Sequence, residues 1–495
     1  MRENMSTIKM TVDIENRISR INKEIYGHFA EHLGRCVYGG IYVGEDSPIP
    51  NIRGYRKDVI EALKAIKVPV IRWPGGCFAD TYHWKDGIGS KADRKKIVNV
   101  NWGGVTEDNS FGTHEFLDFC ELIGCEAYVA LNLGSGTVQE AAEWAEYMTS
   151  DSDSPMTELR KKNGREKPWK VKYFGIGNES WGCGGSMNVD FYSNLYRQYR
   201  TFAQGAEQQI ACGPNGNDLY WTEGMMKNVG PWAMQGLSLH YYTIPNGGWN
   251  SPKGDSVDFS KEEYYKTLQH TWYMERILKD QEGIMQRYDG DNKIGLIVDE
   301  WGIWTDVIKG TNPGFLYQQN TMRDAIIASI NLNLFNEHSE RVKMANIAQM
   351  VNVLQAILLT EGDRMVKTPT YHVFDMYKEH MDAELVYSHC KCSELDSEDG
   401  RFPAISQSAS VDAEGKLHIT ISNASLDEDF DIDCVIPRAE YKNVCAKILT
   451  GEYNAFNDFD KPDNLTPKAC KDVKLSGEKL TIKLPKCSVV SVELS

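Results

Sequence analysis

The sequence predicts an α/β fold, a (β/α)8 TIM barrel with a C-terminal β-sandwich of the jelly-roll type. Eight strand-like segments lie between residues 21 and 385, and helix-like segments follow seven of them. Beyond residue 385 the helical periodicity gives way to short alternating strands separated by turn residues. A chain of 495 residues is also too long for one small core. We therefore expect an N-terminal strand segment at 1–20 that joins the sandwich, a barrel at 21–385 and a β-sandwich at 386–495.

Apolar, β-rich runs indicate the barrel strands. After the segment Ile25–Phe29 they are predicted at Val68–Trp73, Ala127–Leu131, Val171–Ile176, Gln209–Cys212, Gly236–Tyr242, Ile294–Glu300 and Lys343–Gln349.

Apolar residues at helical spacing fill the stretches between these strands. They predict helices at Asp58–Lys67, Glu115–Ile123, Glu140–Thr149, Asp190–Gln204, Glu262–Tyr288, Arg323–Glu337 and Tyr371–Met381. We expect Thr113 to cap the second of these helices and Gly124 to close it. Ser150–Lys167 is interpreted as a charged surface connection, and residues 79–112 as a long functional loop.

The C-terminal strands are predicted at Lys416–Ser422, Phe430–Ile436, Asn443–Leu449, Lys479–Leu484 and Val489–Leu494. Thr7–Ile14 alternates in the same way, and no helix separates it from the next strand. It is therefore expected to belong to this sheet.

Charge and cysteine content narrow the classes of function. The 54 basic and 70 acidic residues give a formal net charge of −16, which argues against nucleic acid as a partner. We find no apolar run long enough for an export signal or a membrane span, so a cytoplasmic location and no membrane contact are expected. The 12 cysteines show no repeated CxxC spacing and are expected to be reduced thiols.

Two predicted strands end in a glutamate with aromatic neighbours. Glu179 follows the fourth strand in Gly177-Asn178-Glu179, and Glu300 ends the seventh in Asp299-Glu300-Trp301. Glycoside cleavage needs one carboxyl group to protonate the leaving oxygen and a second on the opposite face of the sugar. In a barrel both must lie at the C-terminal ends of strands. The alternative is that each glutamate is a solvated loop carboxylate or a charge at a helix N-terminus, which explains one of them more readily than both together.

Several longer motifs add to this pair: Gly27–Arg35 (GHFAEHLGR), Arg72–Gly76 (RWPGG), His240–Tyr242 (HYY) and Asn346–Gln349 (NIAQ). With the two glutamate motifs they resemble glycoside hydrolase family 51, the α-L-arabinofuranosidases. The resemblance implies Glu179 as acid/base and Glu300 as nucleophile of a retaining reaction. We expect the two carboxyl groups to lie about 5 Å apart.

The same resemblance implies the residues that hold the sugar. Glu31, Cys77, Asn178 and Gln349 would bind the furanose, with a weaker contact from Cys77 because a thiol is a poorer donor than an amide. Tyr242 would orient Glu300, with Arg72 and His240 close by. Trp304 and Trp102 would offer apolar faces to sugar rings.

The function expected from this resemblance is a retaining exo-α-L-arabinofuranosidase acting on arabinan, arabinoxylan or their oligosaccharides. It needs no cofactor and no metal, and family members are usually homohexamers. Alternatives are β-xylosidase or β-glucanase activity from the same site, a catalytically silent carbohydrate-binding barrel, and a metal-dependent barrel hydrolase. For metal binding, the candidates are His28 with His32 and, separately, His389, Cys390 and Cys392. The strand–loop context argues against the first set, and the second has no other ligand pair near it, so exposed thiols are expected there.

Overall fold

Eight parallel strands form a closed barrel whose neighbours follow chain order, in a computed structural model that describes residues 6–249 and 252–495. Residues 1–5 of the predicted N-terminal segment lie outside this description. The barrel strands are Gly27–Phe29, Val70–Trp73, Glu126–Leu131, Tyr173–Ile176, Gln208–Ala211, Gly236–Thr243, Gly295–Ile303 and Val342–Ala348.

The helices pack outside the barrel. They are Lys57–Ala65, Thr113–Ile123, Val138–Thr149, Pro155–Lys162, Val189–Phe202, Leu219–Asn228, Lys261–Tyr288, Met322–Glu337 and Pro369–Tyr377.

Two of these helices differ from the sequence prediction. Pro155–Lys162 lies inside the stretch interpreted as a connection; it begins at a proline, and the Ser154 side chain accepts a hydrogen bond from the Thr157 N–H. Leu219–Asn228 was not predicted, and Asp218 caps it through the N–H of Trp221. Short helices with strong caps and little apolar periodicity are difficult to find from sequence pattern alone.

The expected cap at Thr113 is wrong. Thr113 is already helical, and its hydroxyl accepts a hydrogen bond from the Trp144 indole at 3.0 Å. The Glu115 side chain instead accepts from the backbone N–H of Gly112 at 2.9 Å. Gly124 closes the helix as predicted, in the left-handed region at φ 83°.

The barrel interior is filled at its lower level by apolar side chains from six of the eight strands. They are Val70, Tyr128, Tyr173, Ile210, Ile297 and Met344. Because successive strand residues point to opposite faces, the residues two positions further on line the mouth, where the strands end.

The C-terminal part contains a ten-stranded sheet with its own apolar core, which completes the barrel-plus-sandwich architecture. In spatial order its strands are Lys468–Ala469, Val444–Thr450, Ser488–Leu494, Leu417–Asn423, Ile405–Val411, Glu384–Cys390, Ser6–Arg20, Phe430–Val435, Lys479–Leu484 and Val473–Ser476.

The N-terminal strand lies inside this sheet. Ser6–Arg20 pairs antiparallel with Glu384–Cys390 and parallel with Phe430–Val435. The chain therefore returns to its own beginning after the barrel. The division at residues 20 and 385 stays a prediction.

The sheet and the barrel are joined by a buried helix and by a hairpin. Asn333 of Met322–Glu337 donates to Ser406 at 3.0 Å and accepts from Thr420 at 2.8 Å. A two-stranded hairpin, Glu394–Ser397 with Gly400–Pro403, lies against the helix Lys261–Tyr288. Within residues 6–249 and 252–495, no helix combines the length and apolar character needed to cross a membrane.

Candidate active site

The predicted site residues gather at the C-terminal mouth of the barrel. Nine of them line one cavity of about 770 Å3: Glu31, Cys77, Trp102, Glu179, His240, Tyr242, Glu300, Trp304 and Gln349. Arg72 and Asn178 are buried beside them and bond to one another.

Glu300 is held at both carboxylate oxygens. Arg72 donates to its Oε1 at 2.8 Å, and the Tyr242 hydroxyl donates to its Oε2 at 2.8 Å. The family resemblance implied both neighbours. Two charge-assisted hydrogen bonds fix the carboxylate in one orientation and stabilise its negative charge.

Glu179 lies opposite, on the turn after the fourth strand, with a backbone φ of 40°. A positive φ at a non-glycine residue is uncommon and is a feature of functional sites. Its Oε1 is 2.9 Å from His240 Nδ1, and the same nitrogen is 3.5 Å from Glu300 Oε2. Carboxylate oxygens of the two glutamates lie within 4.8 Å of each other. This agrees with the close pair of a retaining enzyme, because an inverting pair is about 6.5–9.5 Å apart.

Asp299 is a further site residue, whose role was not predicted from the sequence. It accepts from His240 Nε2 at 3.1 Å and from the Tyr128 hydroxyl at 2.8 Å, and it lies 3.5 Å from Arg72 Nε. Burial alone would raise the pKa of Asp299, but Arg72 and His240 lower it below its usual range.

A strand irregularity brings Asp299 to this position. Ser238 pairs with Ile297 and His240 with Glu300, so the seventh strand carries one extra residue. Such a bulge re-aims side chains, and here it turns both Asp299 and Glu300 into the mouth. Strict alternation would have sent one of them outward.

His240 and Arg72 supply the positive charge between these acids. Burial alone would lower the pKa of His240, but the surrounding carboxylates raise it to about 10, so the ring is cationic at neutral pH. Burial also opposes the charge of Arg72, yet Asp299 and Glu300 raise its pKa above the usual value. Each buried positive charge therefore has carboxylate partners, and neither is isolated.

Glu31 follows the first barrel strand and is buried in the wall of the cavity. Its Oε1 accepts from the N–H groups of Gly76 and Phe78 and from the Trp102 indole at 2.9 Å, and its Oε2 accepts from Gln349 at 3.1 Å. Burial and the nearby Glu300 raise the pKa of Glu31 to about 7. Gln349 Oε1 is buried and has no hydrogen-bond partner among the described residues. Both side chains can therefore meet sugar hydroxyls.

The expectation for Cys77 is wrong in its chemistry. Cys77 does line the cavity, but its sulfur is bonded to that of Cys183. The pair flanks Glu179 Oε2, with Cys183 Sγ at 3.4 Å and Cys77 Sγ at 3.9 Å. A disulfide has no S–H to donate, so Cys77 offers the sugar a polarisable surface instead of a hydrogen bond. The expectation that all cysteines are reduced fails for this pair.

Aromatic rings form the outer wall. Trp304 meets Tyr242 edge to face at 5.1 Å and Trp249 at 5.0 Å. Trp304 and Trp102 were expected here, whereas Trp249, half exposed on a polar loop, was missed because nothing in its neighbours distinguishes it from a surface residue. Apolar ring faces of this kind suit the C–H surfaces of sugars.

The metal candidates of the sequence analysis do not assemble. His28 is buried against Phe374, with burial lowering its pKa to about 3, and His32 is bonded to Glu107 and Trp73. Within the described residues, one group of suitable atoms is Cys77, Glu179 and Cys183, whose sulfurs are already joined. Another is Glu179, His240 and Glu300, where the cationic His240 opposes a metal ion.

The facing carboxylates and the barrel that presents them define a glycoside hydrolase. A Bacteroides ovatus protein named intracellular exo-alpha-L-arabinofuranosidase is 51% identical over 491 residues, which cover 98% of this chain and 95% of that protein. The chain belongs to glycoside hydrolase family 51, the α-L-arabinofuranosidases.

Family descriptions and solved structures agree with this assignment. "Alpha-L-arabinofuranosidase 1 domain" matches residues 62–251, and "Alpha-L-arabinofuranosidase C-terminal domain" matches residues 299–488. The family 51 arabinofuranosidase from Xanthomonas axonopodis pv. citri has a TM-score of 0.97 at 45% identity, over 99% of this chain and all of that one. An α-L-arabinofuranosidase from Thermotoga maritima in an arabinose complex has a TM-score of 0.85 at 30% identity, over 98% and 99% of the two chains.

Proposed function

We propose that the enzyme releases terminal α-L-arabinofuranosyl residues by double displacement, with Glu300 as nucleophile and Glu179 as acid/base. The observation that carries this is the approach of the two carboxylates, whose oxygens lie within 4.8 Å at the ends of the fourth and seventh strands. That spacing leaves room for an anomeric carbon but not for an additional water between sugar and base.

In the first step, a Glu300 oxygen attacks the anomeric carbon while Glu179 protonates the departing glycosidic oxygen. Arg72 and Tyr242 hold the attacking carboxylate in place before reaction. His240 occupies Glu179 Oε1, so Oε2 is the oxygen left to carry the proton. In the second step, Glu179 takes a proton from water, and the water oxygen displaces Glu300 from the sugar.

The furanose would lie between these carboxylates and the buried wall of the barrel mouth. Glu31 and Gln349 would meet hydroxyls from one side, and Asn178, which is fixed by Arg72, from the other. A hydrogen bond that strengthens as charge develops on the ring contributes more to the transition state than to the ground state.

The wider assignment follows the Bacteroides ovatus relative, named as an intracellular exo-acting enzyme. We propose the same cytoplasmic, exo-acting role, on arabinan, arabinoxylan and their oligosaccharides, and a homohexamer. Light scattering that gives a single 56.0 kDa chain would refute the oligomer. Full activity in the presence of a strong chelator is expected, because no step uses a metal.

A panel of aryl glycosides tests the substrate. The α-L-arabinofuranoside should be cleaved with a kcat/KM at least about a hundredfold above those of the β-D-xyloside and β-D-glucoside, because a pocket built to bond hydroxyls rejects analogues that misplace them. Preference for either β-glycoside would favour the alternative activities. No turnover of any of the three would favour a silent carbohydrate-binding barrel.

A further inference from the structure

The cavity is larger than one sugar requires. Its volume of about 770 Å3 lies in the upper part of the range of about 300–1,000 Å3 that encloses drug-sized ligands. Only part of its lining belongs to the catalytic groups. We use the name outer arm for the part of the cavity that is lined by Asn215, Tyr241, Gln269, His270, Tyr273 and Asp399.

The outer arm lies on the helix side of the sixth strand. His240 and Tyr242 bond to the catalytic glutamates, whereas the hydroxyl of Tyr241 between them donates to the His270 carbonyl at 2.6 Å. His270 belongs to the helix Lys261–Tyr288, outside the barrel. Successive strand residues point in opposite directions, so Tyr241 marks where the cavity leaves the barrel mouth.

The far wall of the outer arm comes from the C-terminal hairpin. Asp399, at its tip, accepts a hydrogen bond from His270 Nε2 at 2.9 Å. The neighbouring Glu398 pairs with Lys266 of the same helix at 3.0 Å. These contacts fix a segment of the sheet-rich part of the chain beside a cavity that begins at the catalytic pair.

The chemistry of the outer arm suits neutral sugars. Tyr273 is 46% exposed although it is aromatic, and its ring lies 5.9 Å from that of Tyr241. The Gln269 side chain lines the cavity, and its Oε1 has no hydrogen-bond partner among the described residues. An exposed ring and a carboxylate together offer stacking and hydroxyl acceptance.

We propose that the outer arm is a remote aglycone subsite that binds a neutral sugar unit of an oligosaccharide, beyond the unit next to the scissile bond. Tyr273 provides its stacking face, and Asp399 accepts its hydroxyls. The C-terminal hairpin thereby contributes to the choice of substrate length. This inference rests on the proposed glycosidase function of the same cavity.

The test compares Tyr273→Ala with Tyr273→Phe, Asp399→Ala and the control Tyr220→Ala. Tyr220 is 70% exposed and is not among the residues that line the cavity. For each, kcat/KM is measured on an aryl α-L-arabinofuranoside and on arabino-oligosaccharides of two to five units. The loss of kcat/KM caused by Tyr273→Ala should be about fivefold to tenfold greater on the longest oligosaccharide than on the aryl substrate, because one aromatic contact contributes about that much. Tyr273→Phe should restore most of this loss, and Tyr220→Ala should behave as the wild type.

Asp399→Ala should also lose more kcat/KM on long substrates than on short ones, but the difference between the two losses should be smaller than for Tyr273→Ala. Equal losses on short and long substrates, or no loss on the long ones, would overturn the subsite while leaving the proposed function intact. If the wild type cleaves neither substrate, the proposed function fails and the subsite fails with it.

Discussion

Replacing Tyr242 with phenylalanine removes one oxygen atom from the wall of the site. That oxygen donates to Glu300 Oε2 at 2.8 Å, while the ring, buried against Trp304, stays in place. A hydrogen bond to a charged group contributes about 1.5–3 kcal/mol. If this bond orients the nucleophile, its loss raises the activation barrier by that amount. At about 1.36 kcal/mol per decade, kcat/KM should fall about 13- to 160-fold.

The assay is steady-state hydrolysis of a dinitrophenyl and a natural α-L-arabinofuranoside. Both should lose activity to the same degree, since both need Glu300 to form the glycosyl-enzyme. Tyr264→Phe is the matched control, because its buried hydroxyl donates to the Ala424 carbonyl at 3.0 Å, away from the catalytic groups. A Tyr242→Phe enzyme within threefold of wild type would show that this hydrogen bond does not hold the nucleophile.

Three further predictions concern charge and covalent structure. Thiol titration of the unfolded, unreduced protein should find ten free thiols among the 12 cysteines, and a count of twelve would exclude the Cys77–Cys183 bond. Reduction of this bond should lower the free energy of unfolding by about 2–4 kcal/mol. Burial would lower the pKa of His338, but two glutamates raise it from 6.5 to about 9. The protonated His338 stabilises the fold fully below pH 6.5, and this stabilisation is lost as pH rises through 9. In denaturant unfolding, His338→Gln should therefore lower the free energy of unfolding by about 3 kcal/mol more at pH 6 than at pH 10. An equal loss at both pH values would refute this. The pKa of Glu31 is raised from 4.5 to about 7, so the native state holds this proton more tightly than the unfolded state does. The wild type therefore loses stability as pH rises from 4.5 to 7, and Glu31→Gln, which carries no such proton, should gain stability relative to it over that range, with an increased KM. A difference in melting temperature that stays constant with pH would contradict the shift.

The two glutamates proposed as catalytic were predictable because each follows an apolar strand in a short, distinctive motif. Barrel strands must end at the mouth, so strand order alone placed Glu179 and Glu300 across from one another. Most predicted helix and strand ends fall within about two residues of the observed ones, as expected where periodicity is strong. The return of Ser6–Arg20 to the C-terminal sheet was also expected, since no helix follows it.

The features that were missed depend on geometry that no local pattern encodes. Asp299 joins the charge network because a bulge adds a residue to its strand, and the sequence carries no mark of that bulge. The Cys77–Cys183 bond joins residues 106 positions apart, through the turns that carry them. The outer arm needs Asp399 from a hairpin that was not predicted, because its strands are short and polar.

The different tasks of Glu179 and Glu300 can be separated in one measurement, the stereochemistry of the product formed with azide. The Glu179→Ala enzyme should still form the glycosyl-enzyme from a dinitrophenyl arabinofuranoside, because that leaving group needs no proton. Azide should then displace Glu300 and give the α-configured arabinofuranosyl azide, with the rate restored. The Glu300→Ala enzyme has no nucleophile, so azide should attack the substrate directly and give the β-configured azide. A β-azide from the Glu179 variant, or no rescue at all together with equal losses on activated and natural substrates, would contradict the assignment of the two residues.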